Sequence, residues 1–173
     1  MDSGLVEQLR NAIKERNWGS NGSIYLLGDD KLAKGKSKQS SEAEYKWGSY
    51  LYEQGVQVPE MYGLVRPDSL LLRPSYETPI EDWFVVIQKI DGRDIRDMSI
   101  PVQREVLRKY YQEIEKVLEL GIYPSCDALS GNNNAVIDKD GKLYLLDFEY
   151  WRKGSESELE WLYEQLRTYF PRR

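Results

Sequence analysis

The stretch LLDFEYW, residues 145–151, decides how this chain reads. Five of its seven residues are apolar or aromatic and two are carboxylates. Asp147 directly follows KLYLL (142–146), which has the composition of a buried strand. An acid at the inner end of such a strand is costly unless it meets a positive partner. Asp147 therefore either caps the strand end or binds a cation.

The residues upstream favour the second reading. Asp127 is followed five positions later by Asn132, giving D-x-x-x-x-N inside CDALSGNNN (126–134). AVID-KDG-KLYLLD (135–147) then reads as a hairpin with a Gly-containing turn. This order suits two carboxylates and an amide oxygen converging on hydrated Mg²⁺ and a phosphate. The local alternative for Asp127 and Asn132 is turn chemistry, which Asx and Gly residues supply anyway.

Composition narrows the chemistry. The chain has 173 residues, enough for one domain or two small lobes. It is 40% apolar and 31% charged, as expected of a globular protein. A formal net charge of −5 argues against a general nucleic-acid scaffold, although a local basic patch stays open. No apolar run reaches the roughly 18 residues that span a bilayer. A single cysteine, Cys126, makes no internal disulfide. With no signal-peptide pattern at the start, the expectation is a cytoplasmic protein. There is no histidine. Ser-His-Asp triads, Cys-His pairs and His-built zinc sites are excluded, and proton transfer falls to carboxylates, Lys, Tyr or Cys126.

Outward from the opening stretch, the spacing predicts an α+β chain. Leu5, Val6, Leu9 and Ile13 place a helix at 3–16. SIYLL and KLAK flank a Gly-Asp-Asp turn, giving a hairpin. Ser41 and Glu44 have capping-box spacing, and Gly55 is the expected stop of the helix between. On that helix Glu44 shares a face with Trp47 and Leu51, so it either completes the box or points inward to a lysine. Residues 66–82 read as a loop around a short strand, SLLL. WFVVIQKI (83–90) reads as a central strand buried on both faces. Ser99 and Pro101 start a helix whose stripe is Leu107, Tyr110, Tyr111, Ile114, Val117 and Leu118, and Gly121 stops it. A last helix covers 156–169, with Leu159, Leu162, Leu166 and Phe170 on one side. Most of the sheet is expected in the first half.

WGSNGSIYLLGDDKLAK (18–34) places a Gly-x-x-Gly loop ahead of two strands ending in Lys34. Small residues let backbone N–H groups approach phosphates, and a strand lysine can reach them. Lys31, Lys36 and Lys38 compete with Lys34 for that role.

In this order the elements resemble the protein-kinase-like superfamily across residues 18–150. KLAK stands where such proteins carry a V-A-I-K strand, SCDALSGN where they carry the catalytic loop, and DFE where they carry D-F-G. The Asp-Phe-Glu is similar to the choline-kinase and aminoglycoside-phosphotransferase branch. The resemblance implies a two-lobed fold, with an N-lobe at 1–90 and a reduced helical C-lobe at 91–173. It implies ATP and Mg²⁺ as cofactors. Gly19, Ser20, Asn21, Gly22 and Ser23 would cover the nucleotide phosphates. Lys34 would contact the α- and β-phosphates and Glu44 would pair with it. Gln88, Lys89 and Ile90 would form the hinge that reads adenine through the backbone. Asp127 would orient the acceptor hydroxyl or take its proton, and Asn132 and Asp147 would bind Mg²⁺.

The chain departs from the pattern in three places. No histidine precedes the catalytic loop, where Ser125 and Cys126 stand. The loop is long after Asn132, so Asn133 or Asn134 is an alternative ligand. Only 26 residues follow Asp147, which leaves no room for a usual activation segment. The resemblance is therefore to reduced members: the RIO kinases, the kinase of the tRNA threonylcarbamoylation machinery and the lipopolysaccharide core kinases. The implied acceptor is a hydroxyl, with protein Ser/Thr first. Glu149 keeps a small-molecule acceptor open, and the missing histidine keeps open a pseudokinase that binds nucleotide or scaffolds without turnover.

Overall fold

The computed structural model describes residues 3–14, 24–66, 83–124 and 134–169. The chain is α+β and divides into two compact units. One comprises Met1–Ser49 and Glu60–Lys89, the other Tyr50–Pro59 and Ile90–Arg173.

The first unit is built on a four-stranded antiparallel sheet. Its strands are β1 (Ile24–Leu27), β2 (Lys31–Lys36), β3 (Met61–Val65) and β4 (Trp83–Gln88), in the order β1-β2-β4-β3. β4 lies between two neighbours, and Phe84, Val85, Val86 and Ile87 are all buried, as its near-continuous apolar run requires. The β1–β2 turn carries Gly28 at φ +74, a conformation that favours glycine.

Alternation along the strands gives the sheet two faces. Ala33, Phe84 and Val86 point to one, where α1 (Ser3–Lys14) lays down Leu5, Val6, Leu9 and Ala12. Each fully buried Leu or Val there contributes about 1.5–3 kcal/mol. Lys34 and Lys36 fall on the opposite pleat.

That second face meets α2 (Lys38–Glu53). The helix starts three residues before the expected capping box. Ser37 precedes it: its carbonyl accepts the Ser41 N–H at 3.0 Å and its Oγ accepts the Ser40 N–H at 3.3 Å. Ser41 and Glu44 are thus released from capping. Among the described residues they are the two buried polar side chains, and Ser41 Oγ donates to the Trp83 carbonyl on β4 at 3.0 Å. Gly48 brings the helix close to β3, since a Cβ there would overlap Met61 Cε. The helix ends as expected at Gly55 (φ +74), with Gly55 N–H on Tyr52 O and Val56 N–H on Leu51 O, a Schellman motif.

The second unit centres on α3 (Ile100–Glu119), which packs against β6 (Ile122–Tyr123), β8 (Leu143–Leu145) and α4 (Glu156–Tyr169). Tyr110, Tyr111, Ile114, Val117 and Leu118 form its buried stripe, joined by Val106 rather than Leu107. β8 pairs with β7 (Ala135–Asp138), which pairs with β5 (Gly92–Asp94). β6 pairs with β9 (Arg152–Lys153). As expected, β1 to β4 hold most of the described strand residues. β5, β6 and β9 are two- or three-residue strands too short to show a period. All ladders among the described residues are antiparallel. No described helix is long and apolar enough to cross a membrane.

Candidate functional site

In the first unit the structure brings Lys34 and Glu44 together. Lys34 stands opposite Val85 in the β2–β4 ladder. Its Nζ donates to Glu44 Oε1 at 2.7 Å. The Glu44 side chain is only 1% exposed and that of Lys34 15%. A carboxylate buried this deeply needs a cation, and two residues along the strand a second one arrives. Lys36 Nζ lies 2.9 Å from Glu44 Oε2. Oε2 accepts no aligned hydrogen bond, so this contact is an ion pair by proximity alone. Strand alternation was the available signal, since residues i and i+2 share a face. The rest of the lysine run is occupied elsewhere. Lys31 pairs with Asp30 at 3.0 Å. Lys38 lies 4.0 Å from Glu42, with its ammonium 5.3 Å from the centre of the Trp83 ring.

Gln88 ends β4 and Lys89 follows it. The Gln88 N–H donates to Glu60 O and the Lys89 N–H to Asp30 O, both at 2.8 Å. The amide donors at these two positions are therefore engaged by the protein itself. Carbonyl oxygens each have two lone pairs and can take a further donor. Ile90 is the first residue of the other unit's second segment.

In the second unit Asp147 follows β8. The Leu145 N–H donates to Gln57 O at 2.9 Å and the Leu146 N–H to Asn134 O at 2.7 Å, which fixes the strand end. Asn134 thus lies across the hairpin from Leu146, one residue from Asp147. Asp147 then takes φ 60, and among the described residues it is the one non-glycine with positive φ. Such a backbone costs on the order of 1 kcal/mol and clusters at functional sites. Sequence alone gave no sign of it. Phe148 is buried and stacks edge-on against Trp151, with ring centres 5.0 Å apart. The Trp151 N–H closes a turn onto Phe148 O at 3.1 Å, and β9 follows at once.

β9 is itself anchored. Arg152 forks onto Glu158 of α4 at 2.6 and 3.0 Å. The guanidinium, with the Ser155 backbone and hydroxyl, holds the Glu158 carboxyl down to about 2. Lys153 Nζ donates to Leu120 O, a terminal carbonyl of α3, at 3.1 Å. A further brace joins α3 to the loop before β3. Glu113 Oε2 accepts the Gln57 N–H at 3.1 Å, and the Gln57 carbonyl holds Leu145.

Gly19, Ser20, Asn21, Gly22, Ser23, Asp127 and Asn132 lie outside the described residues, as do Cys126, Asn133 and SLLL. Among the described residues no three His, Cys, Asp or Glu side chains gather as a metal site.

No protein-family model matches the sequence, and neither does any curated protein. Solved structures do match in fold. The chain is similar to the bifunctional kinase-methyltransferase WbdD at 14% identity and a TM-score of 0.50, over 88% of this chain and 36% of that one. It is similar to monomeric WbdD at 14% identity and a TM-score of 0.54, over 90% and 40%. A WbdD structure at 2.2 Å matches at 14% identity and a TM-score of 0.50, over 85% and 35%. The chain therefore spans well under half the length of these neighbours, and what it shares with them is a fold.

Proposed function

We propose that this chain is an ATP- and Mg²⁺-dependent phosphotransferase that moves the γ-phosphoryl group to a hydroxyl. The observation that carries the reading is the Lys34–Glu44 pair, a strand lysine held by a buried helix carboxylate at 2.7 Å. Fixed in this way, an ammonium meets a nucleotide phosphate with little reorganisation, which is the main form of catalysis in phosphoryl transfer. The fold neighbours support it, because one is described as a kinase-methyltransferase. The antiparallel ladders speak against a doubly wound nucleotide-binding fold, which uses a mostly parallel sheet.

In this reading Lys34 binds the α- and β-phosphates, and residues 19–23 cover them. Adenine is read by carbonyl oxygens of Gln88 and Lys89 and by the amide of Ile90. Asp147 and Asn132 are the Mg²⁺ ligands, with Asn134 as the described alternative. Oxygen donors of this kind fit Mg²⁺. The ion supplies charge neutralisation on the phosphates. The acceptor oxygen attacks the γ-phosphorus, its proton passes to Asp127, and the bond to the β-phosphate oxygen breaks to release ADP.

Protein Ser/Thr is the acceptor proposed first. One observation favours a small-molecule hydroxyl instead. The turn at Phe148 and Trp151 runs straight into β9 and α4, with no long segment between Asp147 and Glu156 to lay out a peptide. Incubation with Mg²⁺ and γ-labelled ATP separates the readings. Label on the protein or a generic protein substrate supports the first, and label only on a sugar, aminoglycoside or choline supports the second. Nucleotide binding with no phosphate release at any enzyme concentration would make the chain a pseudokinase.

A further inference from the structure

Glu44 is held by two lysines where a strand–helix ion pair needs one. Lys34 Nζ takes Oε1 at 2.7 Å and Lys36 Nζ faces Oε2 at 2.9 Å. The exposures of the three side chains differ in an informative way. Glu44 is 1% exposed, but Lys34 and Lys36 keep 15% and 20%. What solvent reaches in this trio is therefore the lysine side chains and not the carboxylate.

We propose that Lys36 is a positioning residue for nucleotide binding: it compensates the charge of Glu44 so that Lys34 can be shared with a phosphate. The inference rests on the phosphotransferase reading and names a device within the same site. The argument is electrostatic. When Lys34 turns donors toward a phosphate, a lone Glu44 loses part of its compensation in a place water does not reach. With Lys36 beside it, the carboxylate keeps a cation throughout. The Lys36 contact suits this task because it is not an aligned hydrogen bond. It follows the carboxylate through small shifts, since attraction between charges depends on distance far more than on direction. Strand geometry makes the arrangement possible, because side chains at i and i+2 rise from the same face about 6.7 Å apart.

The test is the dissociation constant of MgADP, with kcat and KM for MgATP, in the full chain. Lys36→Met is expected to weaken MgADP and raise KM about tenfold while kcat stays within about twofold. Lys36→Arg keeps the charge and is expected to restore binding to within about threefold. Lys36→Gln substitutes for Lys36→Met if the methionine variant does not fold. Action through Glu44 also predicts coupling, so the effect of Lys36→Met shrinks in a Glu44→Gln background. A lowered melting temperature with unchanged MgADP affinity would make Lys36 merely structural and overturn the proposal. So would an undiminished effect in the Glu44→Gln background, which would mean that Lys36 touches phosphate itself. If the unmutated chain binds neither MgADP nor MgATP, the phosphotransferase reading fails and this proposal with it. If it binds them and Lys36→Met binds equally well, only this proposal fails.

Discussion

Lys34 Nζ donates to Glu44 Oε1 over 2.7 Å, and the carboxylate it holds is 1% exposed. Breaking a buried pair from one side strands the other charge. Glu44→Ala strands two, but both lysines keep a path to water and can turn outward. The expected loss is about 2–4 kcal/mol of stability, read from urea unfolding at constant m-value. Lys34→Met leaves Glu44 with Lys36, so it is expected to destabilise less than Glu44→Ala while abolishing ATP turnover. A Lys34→Met variant that turns over ATP normally would remove Lys34 from the site.

This pair also marks how far the sequence could be read. Local signals came through: Gly28 and Gly55 sit where turn and cap chemistry demand positive φ, and β4 lies in the sheet interior. The Ser41–Glu44 spacing misled, because it is a local pattern that tertiary contacts override. Ser41 Oγ is claimed by Trp83, 42 residues away, and Glu44 by two strand lysines. The inward option for Glu44 was visible from its apolar-face neighbours. That Lys36 would join Lys34 went unread, although strand alternation puts residues i and i+2 on one face. The backbone of Asp147 had no signal either, because φ there is set by what the strand end and the following turn impose.

Two glycines separate close packing against backbone from close packing against a flexible side chain. A Cβ on Gly92 would lie 2.6 Å from the Ile137 carbonyl oxygen, within the β5–β7 ladder. Gly92→Ala must distort that ladder and is expected to cost about 2–3 kcal/mol. At Gly48 the obstacle is the far end of Met61, which can move to another rotamer. The helical alanine also gains about 1 kcal/mol in propensity over glycine. Gly48→Ala is therefore expected to cost clearly less than Gly92→Ala. Thermal melts of the two variants, compared side by side, check the order.

The Arg152–Glu158 fork gives a pH signature. Arg152 and Ser155 hold the Glu158 carboxyl down to about 2, below its usual value. A depressed carboxylate stabilises the fold above its unfolded value and loses that contribution as pH falls toward the folded one. The contribution is therefore complete near neutrality and disappears between about pH 4.5 and 2. Carboxyl carbon shifts from NMR are expected to place the Glu158 midpoint near the bottom of that window in the wild type. In Arg152→Gln the midpoint should return toward the ordinary glutamate range. A wild-type midpoint already in that range would mean the fork does not persist in solution. Because the pair is on the surface, little change in melting temperature is expected at neutral pH.

Asp147 allows function and strain to be measured apart. Its φ of 60 lies in the left-handed region, which glycine adopts freely, asparagine and aspartate tolerate, and alanine resists. Asp147→Gly, Asp147→Asn and Asp147→Ala all remove the carboxylate, so differences in stability among them report mainly the backbone. Alanine is expected to be the least stable, by about 1 kcal/mol relative to glycine. Asparagine should fall close to the wild type, because it keeps both the shape and the tolerance for this conformation. Phosphotransferase activity should follow a different order, with all three variants inactive, since none presents a carboxylate to Mg²⁺. Denaturant unfolding and ATP turnover on the same preparations check both halves. Equal stability of the alanine and glycine variants would show that the positive φ does not persist in solution. Full activity in Asp147→Asn would take the metal role away from this residue and leave it as the cap of a strand.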